Sequence, residues 1–170
     1  MQTGRHMLIT RSRIPLLLLV LVCAACNKKV TASNDFKAAM NEFRPALKAF
    51  TTDFPKHELA LQQLRKTDPA GAARKIETEV VPLLDQLARA LDKAHTSGLA
   101  YVELATDEDP AVVQKIRHNV EQIGKQQQGA ARVRDLYAAQ ARQLGKGPLS
   151  ADDELQFAKA TSQAFMLIGG

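Results

Sequence analysis

Apolar residues recur at alternating intervals of three and four along most of this chain, which is the repeat of an amphipathic α-helix. The first series begins after Asn34-Asp35 and comprises Phe36, Met40, Phe43, Leu47, Phe50, Phe54, His57, Leu61 and Leu64. It contains four of the six phenylalanines, so it predicts the main core element. Pro45 and Pro55 lie within it. Because a mid-helix proline removes a backbone hydrogen bond, we expect kinks or a break, with the break near Thr52-Asp53.

A second series starts at Asp68-Pro69, where the aspartate is expected to cap a helix and the proline to occupy its first turn. Its apolar face is predicted to comprise Ile76, Val80, Leu83, Leu87, Ala90, Ala94, Gly98 and Tyr101, widened by Leu84, Leu91 and Val102. Pro82 lies inside this helix and is expected to bend it.

Residues 106–110 predict a third helix start of the same kind, with acidic side chains at the positive end of the helix dipole and Pro110 in the first turn. The apolar face that follows is predicted to comprise Val113, Ile116, Val120, Ile123, Gln127, Ala130, Arg134, Tyr137, Ala141 and Leu144. Three glutamines lie between Gly124 and Gly129. We expect this polar stretch to be loosely packed and the weakest part of the helix.

Ser150 and Asp153 have the spacing of a capping box and predict a fourth, shorter helix. Its inner face is predicted to comprise Leu155, Ala158, Ser162 and Phe165. No stretch alternates apolar and polar residues as a strand does. The sequence therefore predicts an all-α fold, an antiparallel bundle of about four helices over residues 35–170. A coiled coil shared between chains is the alternative, although the internal prolines would disturb a continuous supercoil.

The first 25 residues have the pattern of a secretory signal. Arg11 and Arg13 precede an apolar segment from Ile14 to Ala25, and no acidic residue occurs before it. Twelve apolar residues are too few to span a bilayer, which needs about 20 in a helix. Because Ser12 separates the two arginines, the general secretory route is favoured over the twin-arginine route. Translation could begin at Met1 or at Met7.

Ala24, Ala25 and Cys26 resemble the lipobox of bacterial lipoproteins, in which two small residues precede a lipidated cysteine. Cys23 departs from the pattern, since an aliphatic residue is usual there. The resemblance implies cleavage after Ala24-Ala25 and attachment of acyl chains such as palmitate to Cys26. Residues 26–34 would then form a polar tether, and the membrane would be a partner through the lipid anchor. The alternative is ordinary signal-peptidase cleavage, which would leave Cys26 as a single free thiol.

Localisation follows from the same resemblance. A lipoprotein of this kind resides in the cell envelope. Asn27 follows the cysteine, where aspartate would favour retention in the inner membrane by the sorting rules of enteric bacteria. The resemblance therefore implies an outer-membrane protein that faces the periplasm.

The net charge of +5 arises largely from the predicted signal. Residues 1–25 contain three arginines and no acid, and the remainder carries 20 basic and 18 acidic side chains. A surface of mixed charge does not favour phosphate binding, so no nucleic-acid partner is predicted.

No combination of residues indicates catalysis, a metal site or a cofactor. A Gly-x-Ser-x-Gly motif is absent, and no two histidines have helical ligand spacing. His95 and His118 lie eleven and twelve residues from the turn near residue 106, so they could meet across two helices. We interpret these two, and His57, as partly exposed surface residues rather than metal ligands. The sequence therefore predicts no catalytic residue, metal or cofactor, and the protein is not expected to be an enzyme.

An anchored helical bundle without recognisable chemistry favours a non-enzymatic role. The leading hypothesis is an interaction or accessory module that binds another envelope protein. One alternative is an inhibitor or immunity lipoprotein that protects against a toxin. Another is a bundle that holds a metal or a small hydrophobic ligand between its helices.

Overall fold

The computed structural model describes residues 14–169, with side chains from residue 27 onward. Its helices are α1 (Ile14–Thr67), α2 (Pro69–Lys75), α3 (Val81–Leu104), α4 (Pro110–Leu144) and α5 (Ala151–Gly169). A π-helical turn, Ile76–Val80, joins α2 to α3, so these two form one rod. Residues 14–169 contain no strand. The predicted all-α bundle of four helical rods is confirmed.

Helix α1 continues through both of its prolines, so the predicted break near Thr52-Asp53 is wrong. Pro45 and Pro55 are both exposed on the outer face of the helix. The carbonyl groups that lose a donor belong to Asn41 and Thr51, which are exposed as well, so water can replace the missing hydrogen bonds. The apolar face on the opposite side therefore packs without interruption.

Residues 27–34 were predicted as a polar tether, and the structure instead places them in α1. Lys29 Nζ lies 2.5 Å from Asp107 Oδ1 and 2.9 Å from Glu108 Oε1, in the turn between α3 and α4. Ala32 is buried beside this contact. The segment lacks proline and glycine, so helix α1 extends through it and gains these contacts. The packed domain thus begins near residue 27 rather than at residue 35.

The second rod starts as predicted, since the Asp68 side chain accepts a hydrogen bond of 2.8 Å from the Gly71 N–H. The π-helical turn follows, and the Val81 N–H donates to the Ile76 carbonyl five residues back. This turn lies directly before Pro82, which has no N–H to donate. It adds one residue to the turn and so shifts the face that points inward. Beyond it the buried residues are Leu84, Leu87, Ala88, Leu91, Ala94, Gly98 and Val102, whereas Leu83, Ala90 and Tyr101 are only partly buried.

Helix α3 packs against both α1 and α4, and α5 packs against α4. The largest side chains with under 2% exposure are Leu61, Ile76, Val80, Leu84, Leu87, Leu91, Val120, Val133 and Leu144. Helix α5 has 19 residues and α4 has 35, which correspond to about 28 and 52 Å. Helix α5 therefore covers only the half of the bundle that contains the α1–α2 turn.

The glycine-rich stretch of α4 is tightly packed, contrary to the prediction that it would be loose. Gly124 and Gly129 are both buried. A Cβ atom at Gly124 would lie 2.7 Å from His95 Nε2, and one at Gly129 would lie 2.9 Å from the Ala164 carbonyl oxygen. The absence of a side chain thus lets α3 and α5 approach α4 closely, which the polar sequence of this stretch does not reveal.

The capping box of α5 is confirmed: Ser150 Oγ accepts from the Asp153 N–H at 3.1 Å, and the Asp153 carboxylate accepts from the Ser150 N–H at 3.4 Å. The predicted inner face is wrong except for Phe165. Leu155 is 51% exposed, and Ala158 and Ser162 are exposed too. The residues that face the bundle are Phe157, Thr161, Ala164, Phe165 and Ile168. This rotation turns both aromatic rings of α5 toward the bundle, which removes more apolar surface from water than Leu155 would.

Candidate binding cleft

The predicted processing site lies at the edge of what the structure describes. Ala24, Ala25 and Cys26 belong to the part of α1 for which only the helical backbone is described. Lipidation of Cys26 and cleavage after Ala25 therefore remain predictions. Within residues 14–169, no helix has the length and apolar character that crossing a membrane requires.

The histidines do not converge. His57 Nδ1 lies 3.0 Å from Glu79 Oε2, His95 packs against Gly124, and His118 is exposed. Among the side chains described from residue 27 onward, no three or more histidine, cysteine, aspartate or glutamate residues group as metal ligands would.

A cleft of about 660 Å³ opens between α1 and α5, with α4 as its floor. Helices α1 and α5 meet here through aromatic side chains rather than through close backbone approach. The Phe54 and Phe165 rings are 5.2 Å apart, and the Tyr137 ring lies 5.7 Å from Phe54 and 5.1 Å from Phe157. These contacts are edge-to-face, so the four rings form a fixed wall rather than a loose apolar surface.

A polar network lies beside these rings. Arg65 donates from Nη1 to Glu58 Oε1 at 2.7 Å and from Nη2 to Gln140 Oε1 at 3.0 Å. The Tyr137 hydroxyl donates to Glu58 Oε2 at 2.5 Å. The Arg65 guanidinium also stacks on Phe157, with Cζ 5.5 Å from the ring centroid. The network joins α1 to α4 and the cation–π contact joins α1 to α5, so the cleft is held by polar as well as apolar contacts.

Two groups in the network are unusual. Burial raises the pKa of Tyr137 far above its usual range, and the neighbouring Glu58 carboxylate raises it further. The Arg65 side chain is only 12% exposed, and its Nε is buried without a hydrogen-bond partner among the described side chains. Such an unpaired buried donor costs folding free energy.

The pKa of Tyr137 predicts a loss of stability at high pH. Above about pH 10 the tyrosine of the unfolded chain ionises, whereas the buried hydroxyl in the folded chain keeps its proton. The unfolded state then binds fewer protons, so the free energy of unfolding falls as the pH rises, by up to about 1.4 kcal/mol per pH unit from this group. Urea unfolding at pH 7, 9, 10 and 11 is expected to show a smaller alkaline loss for Tyr137→Phe than for the wild type. Equal losses in both proteins would contradict the assignment.

Comparison with protein families, curated proteins and solved structures finds no match to this chain. The chemistry of the cleft therefore has to be judged from its own residues. Glu58 is engaged by Arg65 and Tyr137, and the described lining residues include no cysteine or histidine.

Sequence reasoning placed Phe54, Tyr137 and Phe165 on inner faces but missed the polar network of Glu58, Arg65 and Gln140. One signal was present: Glu58 and Arg65 are seven residues apart, two turns of helix, and lie on either side of the buried Leu61. Two opposite charges with that spacing beside an apolar face indicate a partly buried ion pair. The partners on α4 carry no such signal, because Tyr137 and Gln140 follow 79 and 75 residues after the groups they bind.

Proposed function

We propose that this chain is a lipid-anchored lipoprotein of the bacterial cell envelope, whose helical bundle is a non-enzymatic interaction or accessory module for another envelope protein. The observation that carries the proposal is the twelve-residue apolar segment that ends in Ala24-Ala25-Cys26. Acyl chains on the cysteine contribute about 0.8 kcal/mol per buried methylene, so more than one chain gives a stable anchor.

The geometry of α1 supports an anchored module that reaches away from the membrane. From Asn27 to Thr67 the helix is continuous and about 60 Å long. The turn between α3 and α4 lies beside Lys29, close to the anchored end. The α1–α2 turn and the start of α5 lie at the other end. With no flexible tether after Cys26, the bundle presents that far end to a partner at a defined distance.

A non-enzymatic role agrees with the chemistry of the cleft. Its one carboxylate–arginine pair is closed by hydrogen bonds to Tyr137 and Gln140, which stabilise the fold. No nucleophile, base and orienting group are assembled among the lining residues.

Replacement of Cys26 by serine tests the anchor. In cells grown with radiolabelled palmitate, we expect the wild-type chain to incorporate label. Cys26→Ser is expected to lose the label and to keep the mass of the unprocessed precursor. Cys23→Leu is the matched control and should be labelled and processed, since an aliphatic residue is usual at that position of the pattern and Cys26 is kept. Crosslinking in the same cells is expected to recover one envelope protein with the wild type.

Two results would overturn the proposal. An unlabelled wild-type chain whose Cys26→Ser variant is processed normally would show ordinary signal-peptidase cleavage. A labelled chain that crosslinks to no protein would retain the anchor but remove the interaction role.

A further inference from the structure

Helix α5 is held to the bundle differently from the other helices. A side-chain ion pair or hydrogen bond joins α1 to α3, α1 to α4 and α3 to α4, and these contacts are Glu42–Lys93, Arg65–Gln140 and Asp85–Arg134. Among the side chains described from residue 27 onward, the hydrogen bonds of α5 and its cap Ser150 stay within residues 150–161. Apart from the stacking of Arg65 on Phe157, α5 is therefore held by apolar packing.

That apolar packing is limited in extent. Only Thr161 and Ala164 are fully buried among the described residues of α5, whereas α4 has ten buried residues. Leu155 and Met166, by contrast, are 51% and 67% exposed, so the docked helix leaves large apolar side chains in water. A segment with few buried residues and few polar contacts can open while the remainder of a protein stays folded.

The connection between α4 and α5 can serve as a hinge. Helix α4 ends at Leu144, and α5 begins at Ala151. Between them Gly147 has a φ of +146°, and a Cβ atom at this position would have no neighbour within 4 Å. Because glycine adopts both signs of φ and nothing packs on this one, the loop can change its backbone angles without repacking the bundle.

The surface under α5 is specific for a helix, and we call it the seat of α5. It is formed by residues of α1 and α4, namely Phe50, Phe54, Gly129 and Tyr137. The Phe165 ring lies 5.2 Å from that of Phe54, and the Phe157 ring lies 5.1 Å from that of Tyr137. At Gly129 a Cβ atom would lie 2.9 Å from the Ala164 carbonyl oxygen, so the two backbones approach closely. The seat thus requires aromatic residues on either side of a close helix–helix contact.

We propose that α5 is a displaceable helix, and that its seat is the docking site for an amphipathic helix of the envelope protein that this module binds. The proposal rests on the interaction role proposed above and adds the chemistry of the partner. That helix carries two aromatic residues eight positions apart with a small residue directly before the second, as Phe157, Ala164 and Phe165 do.

A second copy of this chain is a less favourable occupant. Its α5 already has a seat, so an exchange of α5 between two chains makes the same contacts and costs the free energy of association. A helix of another protein has no such seat and gains these contacts on binding. Displacement of α5 would thus couple partner binding to the release of a helix that is apolar on both faces.

The probe is a fluorescein-labelled peptide with the sequence of residues 149–170, added to the full chain in detergent micelles and followed by fluorescence anisotropy. Ala164→Glu places a charge at a fully buried position of the chain's own α5 and leaves the seat unchanged. Gln163→Glu adds the same charge at an exposed neighbour. We expect the peptide to bind the Ala164→Glu chain at least about tenfold more tightly than the wild type or Gln163→Glu, because the tethered α5 no longer competes for the seat. A peptide that itself carries Ala164→Glu should bind that chain at least about tenfold more weakly.

Three results would overturn the proposal: equal binding to all three chains, no binding to the Ala164→Glu chain, or equal binding of the altered peptide. Circular dichroism shows whether the Ala164→Glu chain stays folded. If it does not, Phe165→Ala takes its place, since it removes a ring from α5 without adding a charge.

Analytical ultracentrifugation distinguishes a partner protein from a second copy. We expect a monomer, and a wild-type dimer that Ala164→Glu abolishes would overturn the assignment to another protein. The peptide assay needs no lipid on Cys26. Failure of the peptide assay in a chain that still incorporates palmitate and crosslinks to an envelope protein would reject this docking site and leave the proposed function in place.

Discussion

Replacement of Leu84 by alanine is expected to lower the free energy of unfolding by about 3 kcal/mol, while the same change at the adjacent Leu83 costs about 1 kcal/mol. Leu84, on helix α3, has 0% exposure and belongs to the core cluster. Leu83 is only partly buried. Truncation at Leu84 removes buried methyl groups and leaves a cavity between helices, whereas truncation at Leu83 leaves space that water can fill.

Urea unfolding followed by circular dichroism at 222 nm measures both losses. The comparison is informative because the apolar spacing of the sequence places Leu83 in the middle of the inner face and Leu84 at its edge, whereas after the π-helical turn Leu84 is buried and Leu83 only partly buried. A larger loss at Leu83 than at Leu84 would show that the helix keeps regular α-helical register through residues 76–82. Leu91→Ala, which also truncates a core side chain on α3, should resemble Leu84→Ala.

The starts of α2, α4 and α5 were predictable because their causes are local. Asp68, Asp109 and Ser150 each place a side-chain oxygen two or three residues before the backbone N–H that it accepts from. A motif of four or five residues contains all the atoms involved, so the sequence alone reveals it. Helix number and order follow from these starts, and the bundle follows from the short connections.

The buried face of each helix, and the effect of its prolines and glycines, were less predictable because they depend on the neighbouring helices. The prolines of α1 lie on a solvated face, where water can replace the missing hydrogen bonds, so the helix does not break as proline alone would predict. Gly124 and Gly129 look like weak points of α4, and they are the positions at which neighbouring helices come closest. The rotation of α5 is decided by aromatic partners on α1 and α4. Each of these requires knowledge of which surfaces meet.

The cleft shows the same limit for function. An ion pair between Glu58 and Arg65 can be inferred from their spacing on one helix, but the aromatic wall combines residues from α1, α4 and α5. Spacing within a helix indicates which residues share a face. It does not indicate how wide the gap between α1 and α5 is, since that depends on how closely Gly129 lets α5 approach α4.

Glu58→Leu is expected to lower the free energy of unfolding by about 3 kcal/mol, because it removes the counter-charge of one largely buried group and the hydrogen-bond acceptor of another. The Arg65 side chain, 12% exposed, would lose its counter-charge, and the Tyr137 hydroxyl would lose its acceptor. The exposed ion pair between Glu42 and Lys93, with both side chains more than half exposed, provides the control. Glu42→Leu is expected to cost less than about 0.5 kcal/mol, since solvent screens that pair and hydrates the remaining lysine.

The double variant Glu58→Leu, Arg65→Met tests whether the loss of stability in Glu58→Leu comes from the unpaired charge of Arg65. If the stability lost in Glu58→Leu reflects an uncompensated buried charge, removal of that charge should restore more than half of the lost free energy of unfolding. Both new side chains are apolar and fill similar space. Urea unfolding of the two single variants and the double variant gives the coupling energy directly. Additive losses would show that the two residues act independently, and the Glu58–Arg65 ion pair within α1 would then contribute no coupling energy. Recovery of stability in the double variant would instead show that the loss in Glu58→Leu comes from the unpaired charge of Arg65. The contact between the Phe54 and Tyr137 rings would then be the main link between α1 and α4 in the cleft.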